Sequence, residues 1–217
     1  MKKYLVSISM VLFLLTSLGS RVAFTEEVDV TITNLTKEQP FSPPVLVSHN
    51  KGFELFTAGT QASAGLELMA EDGDPSVMLS EIEGNADVNQ VKAASGPVPP
   101  GGSITMSIDV DRNFKNISVA GMLVNTNDSF FGIKGITISR KISRRTAIAP
   151  AYDAGTEENN EDCAFIPGPF CAGASTSGGA DEDGVIIINN GVHGVGDLIP
   201  AQHDWRNPVA MITITKK

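Results

Sequence analysis

Short segments in which apolar and polar residues alternate recur along the whole chain. The clearest are VDVTIT at residues 28–33 and ITMSIDV at residues 104–110, and the second follows the turn-forming cluster GPVPPGG. The alternation returns more loosely in NISVAGMLV, FFGIKGITIS, VIIINN and VAMITITKK. Such segments, separated by Gly, Pro and Asn, predict an antiparallel β-sandwich or barrel. One helical insertion is expected in ASAGLELMAEDG, continuing after Pro75 as SVMLSEIEG.

The N-terminus has the layout of a secretory signal peptide. Met1-Lys2-Lys3 is followed by a run without charge from Tyr4 to Ser20, with small residues that offer cleavage sites within residues 17–24. We therefore predict a leader at 1–23 and one mature domain at 24–217, secreted or periplasmic and without a transmembrane span. An uncleaved membrane anchor is the alternative, although the run is short and interrupted by serines for a spanning helix.

The net charge narrows the classes of partner. The chain carries −9, and the leader holds three basic residues and no acid, so the mature protein carries about −12. Roughly 195 residues remain, which is enough for one domain with a sizeable core. A strongly acidic exported protein is a poor candidate for binding nucleic acid or anionic lipid, and a plausible binder of cations.

The acidic residues are concentrated in one region. Between Arg145 and Arg206 there is no lysine or arginine. The same region contains ten acids, namely Asp153, Glu157, Glu158, Glu161, Asp162, Asp181, Glu182, Asp183, Asp197 and Asp204. If these acids lie close together in the fold, solvent screening relieves their repulsion weakly and a bound divalent cation relieves it strongly.

Two of these acids, Asp153 and Glu157, stand four residues apart in the block DAGTE. Gly155 between them can adopt a positive φ and fold the chain back, which brings both carboxylates to one side of a turn. One interpretation is a calcium-binding loop, because calcium takes six to eight oxygen ligands from side chains and backbone carbonyls. The other is an Asx-turn at Asp153 with the glutamates in water.

The two cysteines of the chain, Cys163 and Cys171, lie close together in the same acidic region. In an oxidising compartment they most simply form one disulfide that closes a small loop. A free reactive pair is the alternative, although neither cysteine has a basic neighbour in sequence that would lower its pKa.

A group of histidines and carboxylates near the C-terminus raises the possibility of catalysis. His193, Asp197 and His203 could hold a catalytic transition metal in a secreted hydrolase, but their spacing matches no known metal motif. A carbohydrate-binding or surface-binding module is a third possibility, and one tryptophan with two tyrosines offers little for an aromatic platform. Trp205 is expected to anchor the core at the start of the last strand.

Several ordered blocks resemble a known family. They are VTITNLTKEQPFSPPVLVSHN, LFTAGTQAS, LMAEDGD, MLVNTNDSFFGI, PAYDAGTEENNEDCAFIPGPFC and HGVGD with DWRNPVA. Together they look like the bacterial branch of the spondin N-terminal domain family, from about Val28 to Thr215. The D-A-G-T-[DE] block is the most specific of them.

The resemblance implies an antiparallel β-sandwich similar to the calcium-dependent membrane-binding sandwich domains of the C-two type. Animal members occur in extracellular-matrix and adhesion proteins and carry a calcium site, whose ligands fall here on Asp128, Asp153 and Glu157. We therefore expect an exported calcium-binding recognition or adhesion module without catalytic activity, whose ligand is an unidentified extracellular or cell-surface protein or glycan. The neighbouring acids Glu158, Glu161 and Asp162 are expected to be solvated.

Overall fold

A computed structural model describes residues 25–139, 141, 143–171 and 183–217. The leader predicted at 1–23 and two of the acids, Asp181 and Glu182, lie outside these residues. The strands of the described chain are β1 Glu26–Asn34, β2 Val45–His49, β3 Val88–Ala93, β4 Ser103–Val110, β5 Asn116–Met122, β6 Ser129–Thr137, β7 Arg144–Ala149, β8 Ala151–Asp153, β9 Ile187–Ile188 and β10 Ala210–Lys216. The helices are α1 Ala64–Asp72, α2 Ser76–Ile82 and α3 Pro200–His203.

The strands form two antiparallel sheets, as predicted. One sheet has the order β4-β1-β10-β7 and the other the order β3-β2-β5-β6-β8-β9. In β1 the predicted alternation holds, because Val28, Val30 and Ile32 are fully buried while the residues between them are partly exposed. The all-β sandwich is therefore confirmed.

The six-stranded sheet is covered on both faces. One hydrophobic cluster lies between the two sheets, and a second lies between the six-stranded sheet and the two longer helices. Phe131 belongs to the first cluster and Phe130 to the second, since consecutive strand residues point to opposite faces. The central strands β2 and β5 are accordingly buried at every position.

The predicted helical insertion forms this cover as two separate helices. Ser63 caps α1 by accepting a hydrogen bond from the amide of Leu66, and Gly73 ends the helix in the left-handed conformation with φ 70°. Pro75 then separates α1 from α2, because proline cannot continue a helix from the preceding turn. Among the described helices, none is long and apolar enough to cross a membrane.

Two predicted strand boundaries differ in the structure. The segment VIIINN contributes only the two residues of β9. Trp205 is buried in the inter-sheet core, as predicted, but β10 begins five residues later at Ala210. Pro208 lies between them and has no amide hydrogen to donate to a neighbouring strand, so the paired strand begins after it.

Cys163 and Cys171 form the predicted disulfide, with a Cα–Cα distance of 4.8 Å. The loop that they close places Ile166 in the inter-sheet core, where it is fully buried. The alternative of a free cysteine pair is therefore wrong.

Replacing both cysteines with serine is expected to lower the free energy of unfolding by roughly 2–3 kcal/mol. The physical reason is that a short closed loop restricts the unfolded chain by about that amount. Urea denaturation of the variant measures the change, and wild type held in reductant is the control that should unfold at the same midpoint. A variant as stable as the oxidised wild type would show that the disulfide contributes nothing to stability.

Candidate metal centre

Two of the predicted calcium ligands lie side by side at one end of the six-stranded sheet. Asp128 directly precedes β6, and Asp153 is the last residue of β8. These strands are antiparallel neighbours in which Ser129 pairs with Asp153, so the two aspartates meet at the same edge. Glu157 follows after the turn at Gly155, and its backbone amide donates a hydrogen bond to Oδ2 of Asp128 at 3.3 Å. The structure therefore brings the three predicted residues together.

Asp128 is the most deeply buried of the three, with no exposed surface. Its Oδ2 accepts hydrogen bonds from the amides of Thr156 at 2.9 Å and Glu157 at 3.3 Å. Its Oδ1 is buried and has no hydrogen-bond partner in the described part of the chain. Burial, and then the negative charge of Asp153, raise the pKa of Asp128 to about 7, while the two amides oppose the rise.

Asp153 forms the Asx-turn that was one of the two interpretations of the DAGTE block. Its Oδ1 accepts from the amide of Gly155 at 2.8 Å, and its Oδ2 accepts from the side chain of Asn159 at 2.7 Å. Burial raises the pKa of Asp153, and these two hydrogen bonds oppose the rise. Glu157, however, is only 2% exposed, so it is not the solvated glutamate that this interpretation expected.

The turn depends on Gly155. It has a φ of 68°, the positive value expected from the sequence. A Cβ atom at this position would lie 2.7 Å from the backbone nitrogen of Val185, because the 184–185 segment packs directly against the turn. Glycine therefore allows both the turn and the close approach.

The chemistry of this cluster fits calcium. All three side chains offer carboxylate oxygens, the ligand type that calcium prefers, and one buried oxygen of Asp128 lacks a hydrogen-bond donor. Neither Asp128 nor Asp153 forms an ion pair with any residue that the structure describes. The described side chains contain no group of three or more His, Cys, Asp or Glu already placed to hold a metal ion. Calcium at these residues stays a prediction, and binding requires the carboxylates to turn towards one point.

The prediction for Glu161 is wrong. Glu158 and Asp162 are exposed as expected, but Glu161 is only 5% exposed. Its positive φ of 56° turns the side chain into the bend at residues 193–195. There the carboxylate accepts the amides of His193 at 2.5 Å, Gly194 at 2.7 Å and Val195 at 3.1 Å. The sequence offers one indication of this role of Glu161, namely the glycine-rich segment GVHGVG at residues 191–196. Backbone amides in such a bend need an acceptor.

The residues of the hydrolase hypothesis serve separate local purposes. The side chain of His193 is exposed, and its backbone amide donates a hydrogen bond to the carboxylate of Glu161. Asp197 accepts the amide of Cys163 at 3.0 Å. His203 is buried, accepts the amide of Ile199 through Nδ1 at 3.0 Å, and packs on Phe170. Within the described chain these side chains do not form a metal-binding group.

Comparison with protein-family models gives a match. The family model described as Spondin_N matches residues 31–161, which is more than half of the chain. The matched region includes Asp128, Asp153 and Glu157. No curated protein matches the sequence.

Proposed function

The chain belongs to the spondin N-terminal domain family, and on this premise we propose that it is an exported calcium-binding module without catalytic activity. Family membership indicates an extracellular domain of the recognition or adhesion type. The disulfide is consistent with secretion, because such bonds persist in oxidising compartments. The calcium ligands in this proposal are Asp128, Asp153 and Glu157.

The observation that carries the calcium proposal is the buried oxygen of Asp128. A carboxylate without exposed surface is unfavourable unless hydrogen bonds or a counter-charge compensate it. Here two backbone amides compensate Oδ2, nothing described compensates Oδ1, and a second buried aspartate adds repulsion. Bound calcium would supply the missing positive charge.

Calcium held by these residues would connect two segments of the fold. Asp128 directly precedes β6, whereas Asp153 and Glu157 flank the turn that leaves β8. Ligands from both segments would tie this turn to the sheet. The turn also contacts the 184–185 segment, since the amide of Gly184 donates to the carbonyl of Gly155 at 3.0 Å. Calcium would therefore order the surface at this end of the sandwich, which a recognition domain can present to a partner.

We expect calcium to stabilise the protein against thermal unfolding. At free calcium about 100 times its dissociation constant, the gain is about 2.7 kcal/mol, or a rise of roughly 5–10 °C in Tm for a domain of this size. Scanning calorimetry in calcium and in EGTA measures the shift. Asp153→Asn removes one ligand charge and should abolish the shift.

The matched control is Asp162→Asn, which makes the same chemical change at an exposed acid close in sequence. This variant should keep the full response to calcium. The proposal is wrong if calcium leaves the Tm of wild type unchanged, or if Asp153→Asn responds as strongly as the control.

A further inference from the structure

The two ends of the sandwich carry opposite charge. Strand β6 begins beside Asp128 and ends at Thr137, and its nine residues span roughly 27 Å. At the Thr137 end lies an open groove of about 660 Å³, bounded by the β4–β5 turn, the segment after β6 and the end of β10. Four cationic side chains line it, namely Arg112, Lys115, Lys141 and Lys216. We call this the basic groove.

The acids that line the basic groove are already engaged. Glu26 pairs with Lys216, with an N–O distance of 2.9 Å. Asp111 accepts the amides of Asn113 at 2.6 Å and Phe114 at 2.9 Å through one oxygen, which fixes it in the β4–β5 turn. These carboxylates are therefore directed to structural partners within the protein.

Three cations remain available to a ligand. Arg112, Lys115 and Lys141 are exposed, and within the described part of the chain none of them forms an ion pair. Arg144, the first residue of β7, is also exposed, and Arg145 beside it donates to the carbonyl of Thr137 at 2.6 Å. In a protein with a large negative net charge, this local excess of cations needs an explanation.

We propose that the basic groove binds the sulfate or phosphate groups of an acidic polysaccharide. Guanidinium and ammonium groups donate strong charge-assisted hydrogen bonds to such oxyanions, and the cations come from two separate loops across the groove. A broad anionic membrane would also face the net negative charge of the protein, whereas a flexible polysaccharide can contact the groove alone. This inference deepens the proposed recognition function and does not depend on calcium.

The test measures binding of wild-type protein to immobilised heparin, a sulfated polysaccharide, and to a phosphorylated mannan. The double variant Lys115→Gln/Lys141→Gln should weaken binding at least tenfold, because each lost charge-assisted contact contributes about that factor. The control Lys37→Gln/Lys92→Gln makes the same change in net charge at two other exposed lysines and should bind nearly as wild type does. Binding should also weaken as salt concentration rises and persist in EGTA.

Other outcomes would overturn this proposal. Equal loss of binding in both double variants would mean that net charge, and not the basic groove, attracts the polysaccharide. Binding to vesicles containing anionic lipid without binding to either polysaccharide would assign the surface to a membrane. Loss of polysaccharide binding in EGTA would move the site to the acidic end, whereas failure of the calcium response alone would leave the basic groove standing.

Discussion

Replacing Asp128 with Asn is expected to stabilise the calcium-free protein at pH 8, by on the order of 2 kcal/mol. At that pH the folded wild type holds a buried carboxylate beside Asp153, and both burial and repulsion oppose its charge. Asn has nearly the same shape, and its carbonyl oxygen can still accept the amides of Thr156 and Glu157. The same variant should lose its response to calcium. Urea denaturation in EGTA measures the first effect, and repetition in calcium measures the second.

The pH dependence of the wild type gives an independent check on this cause. In the folded protein, burial and the charge of Asp153 raise the pKa of Asp128 from its ordinary value of 3.8 to about 7. Burial raises the pKa of Asp153 as well. Between about pH 4 and pH 7 the folded state holds protons that the unfolded chain has released. In EGTA, the free energy of unfolding should therefore fall as the pH rises through this window.

The Asp128→Asn variant should show a smaller fall across the same window, because its side chain cannot titrate. Asp162→Asn, an exposed change, should follow wild type. If the variant is less stable than wild type at pH 8 in EGTA, and both fall equally with pH, then the carboxylate of Asp128 is not destabilised in the folded protein.

Replacing Glu161 with Ala is expected to cost about 3 kcal/mol of stability. The change removes the acceptor of three backbone amides at residues 193–195, and hydrogen bonds to a charged group contribute about 1.5–3 kcal/mol each without being additive. Urea denaturation gives the overall loss. Hydrogen exchange should show faster exchange at the amides of His193, Gly194 and Val195.

Two further variants separate this effect from a general loss of negative charge. Glu161→Gln keeps one side-chain carbonyl oxygen and should lose less stability than Glu161→Ala. Glu158→Ala removes an exposed acid close in sequence and should change stability by less than about 0.5 kcal/mol. Equal effects of Glu158→Ala and Glu161→Ala would contradict the structural role of Glu161.

The sandwich could be predicted from the sequence because apolar and polar residues alternate along strands of the four-stranded sheet, most clearly along β1. In β1, one face packs on the core and the other faces solvent, so the residue pattern records the orientation of each side chain. Strands β2 and β5 are covered on both faces and carry no such alternation. The sequences of α1 and α2 do not show that these helices cover the second face of the six-stranded sheet. That packing depends on the sheet face that the helices meet in the fold.

The candidate site could be predicted only in part. The DAGTE block indicated the turn at Gly155, but Asp128 was connected to it through the family resemblance. Sequence alone does not show that β6 and β8 are neighbours, and that pairing is what brings Asp128 to Asp153. Glu161 was mistaken for a solvated acid because its burial depends on a bend more than 30 residues later in the chain.

Direct titration with calcium tests the calcium site itself. Chelator-treated protein at pH 8 is titrated with calcium in a calorimeter, alongside Asp128→Asn and the exposed-site variant Asp162→Asn. Wild type and Asp162→Asn should bind calcium saturably, and Asp128→Asn should lose this binding. No saturable heat in wild type, or equal binding in Asp128→Asn, would contradict a calcium site at Asp128, Asp153 and Glu157.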